Sequence, residues 1–273
     1  MKLAVTGANG LVGSRVVELL RKKHDVIPLE SRDLDITDNN TVSSVLGKTE
    51  YDTLLHLAAY TNVDGAENEK EQAHDVNVKG TKNLFNAVTN MGKKMIYIST
   101  DFVFDGSIPP FDEKSKPNPI GYYGQTKYEG EQLLENQAMI VRISYPYGYP
   151  SAKKPDFVQR LRQILEHNKP ITMIADSAMT PTFIDDIAAG LEHLTTHFQP
   201  EIYHLVGGKS YTPFEVGTII AKHYDLPESL IMPTTYKEYM KGKAPRPQYS
   251  IVMTSKNTFT PMKTFEEGLA HLK

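Results

Sequence analysis

Short apolar runs alternate along this chain with longer segments in which apolar residues recur at intervals of three and four positions. Short runs of this kind are typical of buried strands, and the three-to-four spacing is typical of amphipathic helices. We predict strands over residues 2–6, 25–29, 53–58, 94–99 and 138–143, and helices over residues 11–23, 40–47, 71–92 and 122–137. The alternation predicts an α/β fold with a doubly wound parallel sheet.

The pattern changes after residue 144, where the alternation becomes less regular and proline and tyrosine become more frequent. Residues 148–156 are predicted to form a loop. Helices are predicted over residues 157–168, 183–197 and 212–224, and a strand over residues 201–207. We therefore divide the chain into a sheet domain, residues 1–144, and a smaller mixed lobe, residues 145–273. The strand near residues 202–206 is expected to return to the sheet.

Composition narrows the class of protein. The 273 residues are 40% hydrophobic, which is enough to bury a sizeable core. The formal net charge is -3 and no block is dense in lysine or arginine, so we expect neither nucleic acid nor a membrane surface as partner. Cysteine is absent, which excludes disulfides and thiolate chemistry. No apolar stretch approaches a membrane span or a signal peptide, and we expect a cytoplasmic protein.

The first chemical motif is "TGANGLVG", which follows the first predicted strand and opens the first predicted helix. Gly7 permits a sharp turn, Gly10 permits close approach of a pyrophosphate, and Gly13 permits the helix to pack on the strand. The free N–H groups of the helix N-terminus then face the phosphates. The motif predicts a Rossmann-type NAD(P)-binding domain over residues 1–144, with a cofactor loop formed by Gly7, Asn9, Gly10, Leu11, Val12 and Gly13.

The residues after the second predicted strand bear on the choice of cofactor. Glu30 there can accept a hydrogen bond from a ribose 2′-hydroxyl, which favours NAD, whereas Arg32 with Ser31 can neutralise the 2′-phosphate of NADP. We favour NADP and keep NAD as the alternative. Asp35 and Ile36 follow at positions suited to hydrogen bonding and to flanking an adenine.

Tyrosine and lysine lie one helical turn apart in "YYGQTKYEGE". Tyr123 and Lys127 are four residues apart, so they project from the same helix face and can address one bound molecule. A tyrosine pKa is near 10, and a neighbouring ammonium is expected to lower it by favouring the phenolate. Thr100, or alternatively Ser99, ends the fourth predicted strand and can hydrogen-bond a substrate carbonyl.

These motifs together resemble the extended short-chain dehydrogenase/reductase family. The segments "TGANGLVG", "HLAA", "DVNVKGTKNL", "STDFVFDG" and "YYGQTKYEGE" occur in its order and at its spacing. Within that family, "AAYTNVDGAENE", "STDFVFDG" and "APRPQYS" are most similar to dTDP-4-dehydrorhamnose reductases. The resemblance implies NAD(P)H-dependent reduction of a 4-keto nucleotide sugar, with residues 145–273 mainly binding substrate.

The resemblance also implies roles for individual residues. Thr100, Tyr123 and Lys127 match the catalytic residues: the threonine holds the carbonyl oxygen, the tyrosine protonates it, and the lysine also binds the nicotinamide ribose. Leu57, Ala58 and Ala59 match the family segment that lies beside the dinucleotide. Ser99 is also expected to contact the cofactor. The residues expected at the sugar and its nucleotide are Thr61, Val63, Asp64, Thr100, Phe102, Tyr145 and Arg246, the arginine as partner of a diphosphate.

Several positions depart from the reductase pattern. Phe102 stands where a tyrosine is usual, and Tyr145 stands in "SYPYG", where the reductases have tryptophan. Tyr249 and Met253 depart from the usual C-terminal signature. Arg15 occupies the first-helix position that carries a magnesium-binding acid in members that dimerise through the metal, so we predict no metal and leave a homodimer as a possibility.

Three interpretations remain open from sequence alone. An NAD-dependent nucleotide-sugar epimerase or dehydratase is the alternative enzyme, and an NADP-binding regulatory subunit, like that of methionine adenosyltransferase, is the alternative without catalysis. Asn77 is interpreted equally as a residue that helps hold the site and as a polar helix residue. His193 and His197 have a spacing compatible with a metal, but we interpret them as an exposed helix end.

Overall fold

The computed structural model describes residues 1–134, 136–148 and 155–272. The strands are β1 (Lys2–Thr6), β2 (Asp25–Leu29), β3 (Thr53–His56), β4 (Lys94–Thr100), β5 (Met139–Ile143), β6 (Pro146–Tyr147), β7 (Ile171–Ile174), β8 (Thr182–Phe183), β9 (Ile202–His204) and β10 (Ile231–Thr234). The helices are α1 (Leu11–Leu20), α2 (Asn39–Lys48), α3 (Val63–Asn68), α4 (Lys70–His74), α5 (Thr81–Asn90), α6 (Tyr122–Leu134), α7 (Phe157–Glu166), α8 (Ile184–Thr196), α9 (Pro213–His223), α10 (Tyr236–Tyr239) and α11 (Phe265–Leu269). Most of the predicted loop over residues 148–156 lies outside the described residues.

The main sheet is parallel and has the order β2-β1-β3-β4-β5-β9. This confirms the predicted doubly wound α/β fold. β2 lies on one side of β1, and β3 and the later strands lie on the other side, so the direction in which strands are added changes at β1. The carboxyl ends of β1 and β3 therefore open a crevice at this topological switch point. Ligands of open α/β sheets bind in such a crevice.

Two apolar layers cover the sheet. Leu3, Val5 and Leu55 face α1 and α8 on one side, and Ala4 and Leu54 face α2 and α5 on the other. Helix α8 lies in the segment assigned to the smaller lobe, but it packs beside α1 on the sheet. A bidentate ion pair fixes this contact, with the Arg15 guanidinium 2.7 Å from both carboxylate oxygens of Asp185.

The smaller lobe has its own core, centred on Tyr147, Val158, Ile220 and Phe265. Its strands form two short parallel pairs, β6 with β8 and β7 with β10. The sequence did not predict these pairs, because two to four residues are too few to show a period. Among the described residues, no helix combines the length and the apolar character needed to cross a bilayer.

The long helix predicted over residues 71–92 is interrupted. α4 passes into a π-helical turn, Asp75–Gly80, and then into α5. The predicted helix end is confirmed at Gly92, which has a φ of +63° and donates its N–H to the Thr89 carbonyl oxygen at 2.9 Å. The π-helical turn lies against α6, which carries Tyr123 and Lys127.

Candidate active site

A cleft of about 980 Å³ opens at the carboxyl ends of β1, β3 and β4. Its wall brings together residues that are far apart in the sequence. The predicted site residues that line it are Gly7, Asn9, Gly10, Leu11, Val12, Gly13, Ser31, Asp35, Ile36, Leu57, Ala58, Ala59, Thr61, Val63, Ser99, Thr100, Phe102, Tyr123, Lys127 and Tyr145. Four predicted residues do not line it: Glu30, Arg32, Asp64 and Arg246.

The glycine loop has the geometry of a phosphate cradle. Gly7 has a φ of +68°, and a Cβ there would lie 2.6 Å from the Ala58 backbone nitrogen. A Cβ on Gly13 would collide with the Gly7 carbonyl oxygen, so α1 can approach β1 only with glycine at this position. Gly10 caps α1 without a side-chain hydrogen bond, which leaves the first N–H groups of the helix facing the cleft.

Besides the glycine loop, an unpaired hydroxyl group in the cleft wall indicates that a dinucleotide fits this cleft. The Ser99 hydroxyl lies in the cleft wall, is buried, and has no hydrogen-bond partner among the described residues. A buried polar group costs free energy unless it is paired, so a bound polar ligand at Ser99 would satisfy it. Gly7, Gly10 and Gly13 would hold the pyrophosphate of such a ligand.

The residues that follow β2 pair with one another. Ser31 lines the cleft, whereas the Arg32 side chain is 78% exposed and its Nε lies 3.4 Å from a Glu30 carboxylate oxygen. The Asn9 amide also reaches Glu30, at 3.5 Å. Glu30 and Arg32 thus contact each other beside the predicted adenine end of the cleft.

Tyr123 and Thr100 meet inside the cleft. Burial raises the pKa of Tyr123, the hydrogen bond with Thr100 lowers it, and the charge of Asp101 raises it again. The prediction that Lys127 lowers this pKa is wrong for the chain by itself, because burial dominates. A tyrosine with a raised pKa stays protonated at neutral pH, so it can give a proton to a developing oxyanion.

Lys127 is buried beneath the cleft, with only 2% of the residue exposed. Its Nζ donates to the Ile98 carbonyl oxygen at 2.8 Å and lies 4.0 Å from the centroid of the Tyr97 ring. Burial lowers the pKa of Lys127 from 10.5 to about 7, and the charge of Glu131 acts in the opposite direction. This lysine therefore titrates near neutral pH, as functional lysines often do.

Aromatic rings form the wall beside Tyr123. The Phe102 ring packs edge to face against Tyr123 at 5.9 Å and against Tyr145 at 6.0 Å between centroids. Tyr145 has a φ of +39°, a left-handed conformation that is strained for a bulky residue. Burial raises the pKa of Tyr145, the charge of Asp101 raises it further, and the charge of Arg246 acts in the opposite direction.

Asp64 and Arg246 form an ion pair next to the cleft. Arg246 Nη2 lies 2.8 Å from one Asp64 oxygen, and the Ala244 backbone N–H donates to the other at 3.0 Å. The hydrogen bond from Arg246 lowers the pKa of Asp64. Because Asp64 directly follows Val63 of the cleft wall, the pair holds the C-terminal segment against α3.

Asn77 is a structural support of the site. It is 1% exposed; its amide oxygen accepts from the Tyr60 N–H at 2.8 Å, and its amide nitrogen donates to the Tyr60 carbonyl and the Thr126 hydroxyl at 3.1 and 3.0 Å. Tyr60 lies in the segment that follows β3, and Thr126 lies on α6 directly before Lys127. Asn77 therefore connects the segment after β3 to α6, the helix that carries Tyr123 and Lys127. Of the two interpretations of Asn77, the structure supports the first.

Sequence reasoning missed three charged residues of the cleft wall, Asp101, Asp156 and Arg160. Asp101 stands inside the motif "STDFVFDG", but nothing in that motif predicts a role for the carboxylate. Asp156 caps α7 and Arg160 lies on α7, and no motif predicts that this helix reaches the cleft. His193 and His197 lie elsewhere, stacked on each other with ring centroids 4.0 Å apart, and His197 Nδ1 lies 3.0 Å from the His193 carbonyl oxygen.

This chain is similar in sequence and in fold to known proteins. The sequence profile of the RmlD substrate binding domain matches residues 1–272. Spore coat polysaccharide biosynthesis protein SpsK of Bacillus subtilis (strain 168) is 30% identical over 256 residues, which are 92% of this chain and 88% of that protein. Methionine adenosyltransferase 2 subunit beta of Bos taurus is 30% identical over 262 residues, which are 90% of this chain and 78% of that protein. The crystal structure of dTDP-4-dehydrorhamnose reductase from Bacillus anthracis str. Ames in complex with NADP has a TM-score of 0.92 and 33% identity, over 98% of this chain and 97% of that chain.

The parallel sheet, the glycine cradle and the Thr100, Tyr123 and Lys127 cluster define a dinucleotide-binding protein of the extended short-chain dehydrogenase/reductase class. The resemblance found in the sequence motifs is thereby confirmed. The chain belongs to the RmlD substrate binding domain family.

Proposed function

We propose that this chain reduces the keto group of a 4-keto nucleotide sugar of the dTDP-4-dehydrorhamnose type, with NADPH as favoured cofactor and NADH as the alternative. The observation that carries the proposal is that Thr100, Tyr123 and Lys127 share one cleft with the glycine cradle. A relative that is 33% identical and named for this reaction was solved with NADP, which supports both the substrate class and the cofactor.

The proposed mechanism assigns the proton steps to the chain. A bound reduced nicotinamide supplies the hydride. Tyr123, protonated because burial raises its pKa, gives its proton to the carbonyl oxygen as charge develops there. Thr100 contributes a hydroxyl beside the same oxygen. Lys127 lies one turn along α6 and stabilises the resulting phenolate when it is protonated.

The substrate side of the cleft is apolar and aromatic. Phe102 and Tyr145 form a wall against which a sugar ring can pack, and Thr61, just before α3, and Val63, at its start, also line the cleft. We propose that Arg246 binds the diphosphate of the nucleotide. A guanidinium prefers bidentate contact with phosphate oxygens, so a diphosphate can compete with Asp64 for it.

The direct test is the oxidation of NADPH and NADH at 340 nm in the presence of dTDP-4-dehydrorhamnose, with the wild-type protein and with Tyr123→Phe. We expect turnover in the wild-type protein, faster with NADPH. The substitution should lower kcat by about 10² to 10⁴ because it removes the proton donor. Cofactor binding, measured by fluorescence titration, should be retained.

Tyr122→Phe is the matched control, since it removes the same atom one residue earlier, from a side chain outside the cleft. Its kcat should equal that of the wild-type protein. If Tyr123→Phe retains full activity, the assignment of the proton donor is wrong. If the wild-type protein binds NADPH but reduces no 4-keto sugar, the proposed reaction is wrong.

The second candidate is a regulatory subunit that binds NADP without turnover. Its support is the 30% identity to methionine adenosyltransferase 2 subunit beta over 90% of the chain. The cluster of Thr100, Tyr123 and Lys127 favours catalysis over this role. An epimerase or dehydratase has less support. Dehydratases commonly carry acidic residues directly after the catalytic threonine, and here Asp101 follows Thr100 but Phe102 does not fit that pattern.

The proposal includes the cytoplasm as the place of action, since reduced nicotinamide cofactors are available there. It also includes a homodimer formed without metal. Arg15 binds Asp185 and Glu18 of its own chain, so such a dimer would use a contact other than a first-helix acid. Light scattering after gel filtration, with and without a chelator, tests the oligomeric state.

A further inference from the structure

Asp101 is a buried carboxylate that forms hydrogen bonds with three hydroxyl groups. It begins the 3₁₀ turn after β4, lines the cleft, and is 3% exposed. Thr100 Oγ1 lies 3.1 Å from Asp101 Oδ1, and the Ser144 hydroxyl donates to Oδ2 at 3.0 Å. The Ser250 hydroxyl also donates to Oδ2. These hydroxyls come from the end of β4, the residue after β5, and the C-terminal segment.

The Thr100 hydroxyl is held in one orientation by its neighbours. Its oxygen accepts from the Phe102 N–H at 3.2 Å, and its hydrogen is directed to Asp101. These two contacts fix the position of the Thr100 hydroxyl oxygen in the free chain. A hydroxyl has one hydrogen to donate, so this hydrogen must turn from Asp101 to the carbonyl oxygen when substrate binds. Thr100 lines the same cleft as Tyr123 and acts to lower the pKa of that tyrosine against the effect of burial.

The link to Ser250 connects this hydroxyl to the smaller lobe. The Ser250 carbonyl oxygen accepts from the Thr180 hydroxyl at 3.0 Å, and its N–H donates to the Ala178 carbonyl at 2.9 Å. Ser250 lies four residues after Arg246, the proposed diphosphate partner. Asp101 therefore contacts both the C-terminal segment and the Thr100 hydroxyl in the cleft wall.

We propose that Asp101 is a positioning residue, which fixes the Thr100 hydroxyl beside Tyr123 and ties that orientation to the C-terminal segment through Ser250. This inference rests on the proposed function for its kinetic consequence. A buried carboxylate is costly to maintain, and three hydroxyl donors are what make it tolerable in this place. A purely structural anchor would not need contact with the residue beside the proposed proton donor.

Asp101→Asn is the central variant, because the amide keeps the shape and can accept from Thr100 while it loses the charge and one acceptor. We expect kcat to fall at least tenfold, with the KM for NADPH changed less than twofold. In a Thr100→Ala background the same substitution should lower kcat less than twofold further, because Asp101 acts through Thr100.

Asp105→Asn is the control, since Asp105 makes local hydrogen bonds with Ser107 and Asn118 outside the cleft. Its kcat should equal that of the wild-type protein. An Asp101→Asn enzyme with wild-type kcat would overturn the proposal. An equal fall of kcat in the wild-type background and in the Thr100→Ala background would also overturn it, because the effect would then bypass the threonine.

The link to Ser250 is tested without any substrate. The urea midpoints of Asp101→Asn, Ser250→Ala and the double variant form a cycle in which we expect the combined shift to be smaller than the sum of the two single shifts. Additive shifts would overturn the link. If the wild-type protein turns over no sugar, the proposed reaction fails, and this cycle still decides whether Asp101 joins the two segments. If Asp101→Asn does not fold, Ser250→Ala takes its place in the kinetic cycle with Thr100→Ala.

Discussion

At the scale of single residues, the buried Lys127 links stability to pH. Burial lowers its pKa from 10.5 to about 7. In the unfolded chain a lysine titrates near its reference value, so between pH 7 and 10 the unfolded chain binds more protons than the folded chain. The free energy of unfolding therefore rises with pH across this window, by at most about 1.4 kcal/mol per pH unit for one group.

We expect Lys127→Met to raise the free energy of unfolding at pH 7 and to remove this part of its pH dependence, because methionine fills the space without a charge. Reductase activity should be lost in the same variant. Urea unfolding of both proteins at pH 7 and pH 9 gives the measurement. The wild-type value should increase by on the order of 2 kcal/mol more than the variant value. Equal increases would contradict a lysine pKa near 7, since all other groups are common to both proteins.

Local motifs predicted much of the candidate site because its residues occupy fixed offsets. Gly7 follows a strand end directly, and Tyr123 and Lys127 share one helix face. The residues that were missed depend on distant partners. Asp101 acquires its environment from Ser250, 149 positions away, and no spacing rule connects them. The pKa direction of Tyr123 was predicted wrongly for the same reason, since burial is a property of the whole fold.

At the scale of elements, two helical glycines differ in what surrounds them. A Cβ on Gly13 of α1 would collide with the Gly7 carbonyl oxygen, whereas a Cβ on Gly47 of α2 would meet nothing within 4 Å. Alanine is a better helix former than glycine by about 1 kcal/mol in a helix interior. The same substitution should therefore have opposite effects at the two sites.

We expect Gly47→Ala to raise the free energy of unfolding by about 0.5 to 1 kcal/mol with NADPH affinity unchanged. Gly13→Ala should lower the stability and weaken NADPH binding at least tenfold, because α1 must move away from β1. Thermal unfolding and fluorescence titration of the two variants check both statements. Tight NADPH binding by Gly13→Ala would show that the cradle tolerates a side chain.

The π-helical turn Asp75–Gly80 contains Asn77, whose substitution is expected to lower the stability of the protein. Asn77→Ala leaves the Tyr60 N–H and carbonyl without their partner, and an unpaired buried polar group costs about 1 to 3 kcal/mol. We expect the free energy of unfolding to fall by that amount and NADPH binding to weaken. Asn90→Ala, at the exposed end of α5, is the control and should change stability by less than about 0.5 kcal/mol. Equal stability of the two variants in urea would contradict the supporting role of Asn77.

Elements with a clear period were predicted closely, and those that depend on neighbours were not. β1 and β2 have their predicted ends, since each contains a short apolar run between polar or turn residues. The π-helical turn keeps a helical pattern of apolar residues, so the sequence predicts one unbroken helix there. Only its packing against α6 distinguishes it.

At the scale of the whole molecule, the C-terminal segment is tied to the sheet by a buried carboxylate. Glu113 accepts from the His204 N–H of β9 at 3.1 Å and from the Ser255 N–H at 2.9 Å. Burial alone would raise the pKa of Glu113, but the hydrogen bonds from the Ser255 N–H and the Thr254 hydroxyl, together with the charge of His204, lower it to about 2. Glu113 therefore stays ionised well below neutral pH, and this contact between the segments resists mild acid.

Two buried histidines, His56 and His204, make the free energy of unfolding sensitive to acid. Burial lowers the pKa of His56 to about 3, with the charge of Lys127 acting in the same direction. Burial and the nearby Arg142 lower the pKa of His204 to about 4. Both histidines titrate near 6.5 in the unfolded chain. Below pH 6.5 the unfolded chain binds more protons than the folded chain, so the free energy of unfolding falls as the pH falls toward 4.

His204→Gln separates this effect from other sources of acid sensitivity. His204 Nδ1 lies 2.8 Å from the Met253 carbonyl oxygen and Nε2 lies 3.4 Å from Arg142 Nη1, and a glutamine amide also offers one donor and one acceptor without titrating. Between pH 7 and pH 5 the wild-type free energy of unfolding should fall by on the order of 1 to 2 kcal/mol more than that of the variant. The exposed His74, changed to glutamine, should leave the wild-type pH dependence intact. Carboxylates remain ionised over most of this range. If the free energy of unfolding falls with pH equally in the wild-type protein and in His204→Gln, His204 is protonated in the folded chain. The lowered pKa of His204 would then be wrong.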